Sequence, residues 1–162
     1  MAGIRLEGDV RKLLHRLQFY SELDKKAINN VLSQGVRSST VRRFKIGKGP
    51  DGKKWKTSIR ASAEGGKTLV QSARLRNSIR RKADAGGFAV GTNVIYAATH
   101  QYGARRVIRA RKAKLLRFQV DGHWAAAKKV LIHIPARPFL GLSDEDMDEI
   151  RETMEDFMNG ED

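Results

Sequence analysis

Cysteine is absent from all 162 residues, which removes disulfide staples, thiolate nucleophiles and Cys-ligated zinc from consideration. No stretch of eighteen apolar residues occurs, so no segment reads as a membrane-crossing helix. The opening "MAGIRLEGDVRKLL" also lacks the apolar centre of a signal peptide. Aromatic residues make up only 7% of the chain and prolines number three. With a charged fraction of 31% as well, only a modest core is expected. The length fits one domain, 1–162, able to hide roughly two-thirds of its unfolded surface.

Acid is scarce too, until the end. Residues 1–142 hold eight acids against 31 bases, a charge of +23, whereas residues 143–162 hold ten acids against Arg151 alone, a charge of −9. Such a body attracts polyanions over a Debye length of about 8 Å at physiological salt. Nucleic acid is one partner class. An acidic surface of the same protein is another, and this chain supplies one.

Apolar periodicity organises what is present. Leu6, Val10, Leu13, Leu14 and Leu17 share a helical face. "SELD" at 21–24 reads as a capping box for a second helix, whose stripe of Ala27, Ile28, Val31, Leu32 and Val36 runs to about Phe44. These make 1–45 a region of N-terminal helices. The Gly- and Lys-rich stretch 47–66 reads as a long mobile loop. A short helix is expected from Thr68 to Arg76. "SIRRKA" and "FAVGTN" around "DAGG" form a hairpin pattern, "VIYAATHQYG" is open between strand and short helix, and "KLLRFQV" with "KKVLIHI" reads as a strand pair around "DGHWAAA". Residues 104–117 form a basic arm within the 68–142 region of helix and antiparallel sheet. In the 143–162 segment, Ser143 and Asp146 form a capping box, Leu142 and Met147 are spaced for a hydrophobic staple, and Met147, Ile150, Met154 and Phe157 line one face. The fold class expected is α+β: N-terminal helices and an acidic C-terminal helix packed on a small antiparallel sheet.

Sites for chemistry are hard to find. "GKGPDG" has the letters of a dinucleotide fingerprint, but a helix precedes it, Pro50 interrupts it and no helix follows directly. "GKT" at 66–68 lacks the first glycine of a phosphate loop, where Ala61 stands. His15, His100, His123 and His133 have no metal-ligand spacing. With no catalytic residue, cofactor or metal ligand to nominate, a non-enzymatic role is expected. The features left over are electrostatic. Arg105, Arg106, Arg109, Arg111, Lys112, Lys114 and Arg117 crowd one segment, almost without the interleaved aromatics that stack on bases. In the tail, the first-turn acids suit a helix start, but Glu152, Glu155, Asp156, Glu161 and Asp162 lie beyond it. They point to a basic partner or to solubility alone. One reading is thus an assembly protein, and the alternative a basic nucleic-acid-binding protein whose acidic C-terminal helix inhibits itself.

Four segments in order, "RFKIGKGPDGKKWKTS", "SARLRNSI", "VGTNVIYAATHQYG" and "IPARPFLGLSDEDMDEI", resemble the phage virion morphogenesis, or tail completion, family of Mu-like and related tailed phages. The residues carrying the likeness are Trp55, Tyr96, His100, Gln101, Gly103, Pro135 and Pro138. Two places depart from the family pattern: glycine is usual before "LR", where Ala73-Arg74 stands, and after "HQYG", where Ala104 stands. The resemblance implies a structural protein at the head–tail junction of the virion, made in the host cytoplasm, that completes the tail and helps join it to the head. It implies a homo-oligomeric ring, hexameric in related proteins, with other neck, tail tube or tail terminator proteins as partners, incidental contact with DNA and none with a membrane. Interface candidates are then the six bases from Arg105 to Lys114, together with Arg137, Phe139, Glu152, Glu155 and Asp156.

Overall fold

The computed structural model describes residues 10–120 and 122–159. Leu6, Glu161 and Asp162 lie outside them. The order is α1 (Val10–Glu22), α2 (Lys25–Ile46), α3 (Ile59–Glu64), α4 (Arg74–Asn77), β1 (Arg80–Asp84), β2 (Gly87–Gly91), α5 (Ala97–Tyr102), β3 (Ala104–Arg109), β4 (Leu116–Val120), β5 (His123–Ala127), β6 (Lys129–Ile134) and α6 (Asp144–Asn159). Helices and three antiparallel strand pairs, β1–β2, β3–β6 and β4–β5, make the fold α+β.

The long central helix α2 starts differently from the "SELD" expectation. Ser21 stays inside α1, its hydroxyl donating to the Gln18 carbonyl at 2.7 Å. The cap is Asp24, whose carboxylate accepts from the amides of Lys26 and Ala27 at 2.9 and 3.0 Å. Gly47, at φ +73, ends the helix by returning its N–H to the Arg43 carbonyl. Ile28, Leu32, Val36 and Phe44 are buried along α2, but Val31 is 50% exposed.

The β1–β2 hairpin pairs Arg80 with Gly91 through Asp84 with Gly87, as its glycine-centred turn suggested. It is tied to α2 by Arg37 donating to the Ile79 carbonyl at 3.0 Å and Asn29 donating to the Asp84 carbonyl at 2.7 Å. The expected helix over 68–76 shrinks to Arg74–Asn77 because Leu69 (φ +62) and Ala73 (φ +56) are left-handed. At Ala73 this conformation carries a steric cost that a glycine would not. The 47–66 stretch is not one loop: Lys48 bridges Lys54, Trp55 is buried, and Ser58 caps α3.

Strand pairing after α5 also differs from the expectation. "KLLRFQV" pairs with "HWAAA" through the turn at Gly122 (φ +81), while "KKVLIHI" pairs with residues 104–109. The nested pairs make one long hairpin from Ala104 to Ile134. Residues 110–115 bulge from one limb opposite Lys128, whose carbonyl accepts from Ala110 N at 3.0 Å. The basic segment 104–117 is therefore strand for much of its length.

The core joins Phe44, Trp55, Leu75, Ile79, Ala97 and Phe139, with Val41, Leu69, Val70, Val90, Val94 and Leu140 packed round it. The Phe44 ring meets Trp55 edge-on at 5.5 Å and Phe139 at a tilt at 5.3 Å, both within the range of favourable ring pairs.

Helix α6 lies against α2 through one buried ion pair, Arg43–Asp146, with side chains 5% and 3% exposed. Asp146 also closes the expected capping box: it accepts from Ser143 N at 2.7 Å and its own N–H donates to the Ser143 hydroxyl at 3.2 Å. Arg43 spends its other nitrogen on the carbonyls of Phe139 and Gly141, at 3.2 and 2.6 Å. Burial alone would raise the Asp146 carboxyl. The Ser143 amide, the Ser39 and Ser143 hydroxyls and the Arg43 charge outweigh it and hold the group below its ordinary 3.8. Because the folded value is the lower one, this stability is complete above the unfolded value and is lost as pH falls through the folded one. Melting curves of wild type and Asp146→Asn should differ at neutral pH and converge below about pH 4. A gap of constant size down to pH 2 would show that the carboxylate charge contributes nothing.

Candidate assembly site

The residues that carry the family resemblance converge on one extended segment, Pro135–Leu142. Pro135 and Pro138 supply no amide donors, so side chains from elsewhere must hold this backbone. Gln101 of α5 accepts from the amides of Phe139 and Leu140 at 3.0 and 3.1 Å and donates to the Leu140 carbonyl at 2.9 Å. Its primary amide thus does the work of a neighbouring strand. Trp55 donates to the Pro138 carbonyl at 2.8 Å. Gly103, at φ +75, lets the chain pass so close that an added Cβ would stand 2.9 Å from Ala136 N and from the Ile134 carbonyl.

His100 and Arg137 belong to the same knot. The His100 carbonyl accepts from Arg137 N at 2.7 Å, and the Arg137 guanidinium donates to the Lys56 carbonyl at 2.7 Å. Tyr96 sets its ring edge against His100 at 5.9 Å. Burial, and then the Arg137 charge, lowers the His100 imidazole from 6.5, which favours the neutral ring at neutral pH. Burial also lowers Arg137.

Two interface candidates are therefore reassigned. Arg137 is 5% exposed and Phe139 0%, so neither offers surface to another molecule. Both face inward because the proline-fixed segment turns them toward Lys56 and Phe44.

The other candidates are exposed and fall into two groups. Arg105, Arg106 and Arg109 stand on β3, with Arg111, Lys112 and Lys114 in the bulge beyond it. No described acid forms an ion pair with any of them. Glu152, Glu155 and Asp156 stand on α6, likewise without a described ionic partner, whereas Glu145 pairs with Arg42 and Asp148 with Arg151. Met147 is exposed, not part of the inward face, where Asp146 is buried and Ile150, Thr153, Met154 and Phe157 are half-buried. Among the described residues, the chain thus displays a set of basic side chains on the hairpin and a set of acidic ones on α6 without ionic partners.

The sequence pattern gives no signal for Arg43 or Trp124, and it places Val31 in the apolar stripe of α2. Arg43 pairs across 103 residues, which no local spacing reveals. Trp124 and Val31 look like core residues but are 74% and 50% exposed.

A model of the phage virion morphogenesis family matches residues 7–159. The chain belongs to that family. It is 33% identical over 122 residues, 75% of this chain and 70% of the relative, to the Mu-like prophage FluMu G protein 2 of Haemophilus influenzae. No solved structure matches the chain. Membership gives the protein a part in phage virion morphogenesis, and the motif knot says how the family's signature contributes: it folds the frame that carries the two charged surfaces.

Gln101→Glu should test the knot. The carboxylate keeps the two accepted bonds but faces the Leu140 carbonyl without a proton to donate, at a cost of about 1–3 kcal/mol. Phe139→Ala should cost about 3–5 kcal/mol. Denaturant midpoints equal to wild type in both variants would show the segment is not held this way.

Proposed function

We propose that this chain is a ring-forming component of the phage neck, completing the tail and helping to join it to the head by protein–protein docking. The observation that carries the reading is the separation of opposite charge. The hairpin from Ala104 to Ile134 holds nine bases and one acid, Asp121, while α6 holds eight acids and one base. A surface that matches a different surface of the same molecule makes a heterologous contact, and repeated contacts close into a ring when the rotation allows.

Two further features support it. The hairpin's described contacts are chiefly between its own strands, and an isolated two-stranded ribbon is at best marginally stable in water. Val107, Ile108, Val120, Trp124 and Leu131 are 44–74% exposed along it, more apolar surface than a free ribbon should carry. Both are relieved when the hairpin lies on another protein. Neck, tail tube or tail terminator proteins would meet the ring's two faces, and a ring of six copies follows the family resemblance.

Replacing Arg105, Arg106, Arg109 and Arg111 with Gln should leave the melting temperature near wild type, since exposed pairs contribute only about 0–1 kcal/mol each. Oligomer formation and virion yield should be lost. Replacing Glu152, Glu155, Asp156, Glu161 and Asp162 with their amides should do the same from the other side. Normal virion yield in either variant would contradict the proposal.

A further inference from the structure

Between α2 and α6 runs an open groove of about 550 Å³, floored by Leu32, Val36 and Ile150 and edged by Val31, Glu149 and Thr153. Its shape has a local cause. Gly35 has no side chain, so α6 approaches until a Glu149 carboxylate oxygen stands 3.1 Å from where a Cβ would be. One end carries Arg81, bonded to Gln34 and Asn30, and the other carries Asp146, already neutralised by Arg43. Glu149, Glu152 and Asp156 fall three and seven residues apart on α6 and so share one stripe beside the groove.

The hairpin presents a matching end. Trp124 pairs in register with Gln119, and Arg117 pairs with Ala126, so Trp124 and Arg117 lie on the same face. An indole 74% exposed beside a guanidinium is the composition most enriched where binding energy concentrates. The paired limb from His123 to Ile134 spans about 40 Å at roughly 3.3 Å per residue, long enough to cross onto a neighbour.

We infer that the groove between α2 and α6 is the socket for the hairpin tip of a second copy of this chain, with the Trp124 indole entering between Val31 and Ile150 and Arg117 meeting the Glu149–Asp156 stripe. The inference rests on the ring reading above and names its contact. Charge decides the occupant: the groove's α6 edge is acidic, and the hairpin is the most basic element that the chain offers. Apolar burial of the indole supplies the attraction that salt does not screen.

Because the chain has no cysteine, introduced thiols report this contact without background. Ser38→Cys at the groove and Ala126→Cys beside Trp124, joined by a short bis-maleimide, should give a ladder of covalently linked copies. Trp124→Ala should raise the protein concentration needed for oligomers about tenfold or more, and Trp124→Phe should recover most of the loss. At a concentration where wild type assembles and each variant alone is monomeric, mixing Trp124→Ala with Val31→Arg leaves one usable contact per pair, so the mixture should stop at dimers. Links formed only within single chains would mean that the tip folds onto its own groove, and would overturn the inference. Wild-type oligomers with no link would overturn it while leaving the ring reading intact. Wild-type protein that forms no oligomer at any concentration would overturn both.

Discussion

The Arg43–Asp146 pair is the constraint on which the rest of the architecture depends. Asp146 closes the start of α6 through Ser143, and Arg43 binds the carbonyls of Phe139 and Gly141 as well as the carboxylate. One guanidinium thus fixes the proline-rich segment and the acidic helix against α2 together. A buried pair of this kind adds little net stability, because desolvation consumes most of the Coulombic gain. Losing one partner is costly, since the other remains as an uncompensated charge. What the pair supplies is position: α6 can lie on α2 in one place only, and that place creates the groove and aims the acidic stripe.

Local signals in the sequence were legible and long-range ones were not. The capping box at Ser143 and Asp146 follows from a three-residue spacing, and the β1–β2 hairpin from its glycines. The second role of Asp146, as partner to a residue 103 positions earlier, leaves no local trace. The long hairpin was misread because residues 110–115 have no counterparts on the opposite limb, which breaks the even spacing that marks a strand pair. The same bulge made a paired strand look like a flexible basic arm. Trp124 and Val31 carry core-type side chains, and only the tertiary structure shows them facing out. The left-handed backbone at Leu69 and Ala73 leaves no mark in the sequence, since neither residue is glycine.

The candidate site divides along the same line. Trp55, Gln101, Gly103, Pro135 and Pro138 carry the resemblance because they build the knot round Pro135–Leu142. They are scaffold. The surfaces proposed for assembly are made of exposed charges and a few exposed apolar residues, which many residue types could supply. A family signature of this kind therefore identifies the frame while saying little about the contact.

On the function proposed above, separated charge drives these copies together. Sedimentation velocity of the wild-type protein across a salt series tests this directly, because screening shortens the reach of exposed charges from about 10 Å at 0.1 M to about 3 Å at 1 M salt. Large oligomers at low salt that shift toward smaller species as salt rises are the predicted result. A single monomeric boundary at every salt concentration, or oligomers whose size and affinity do not change with salt, would contradict it.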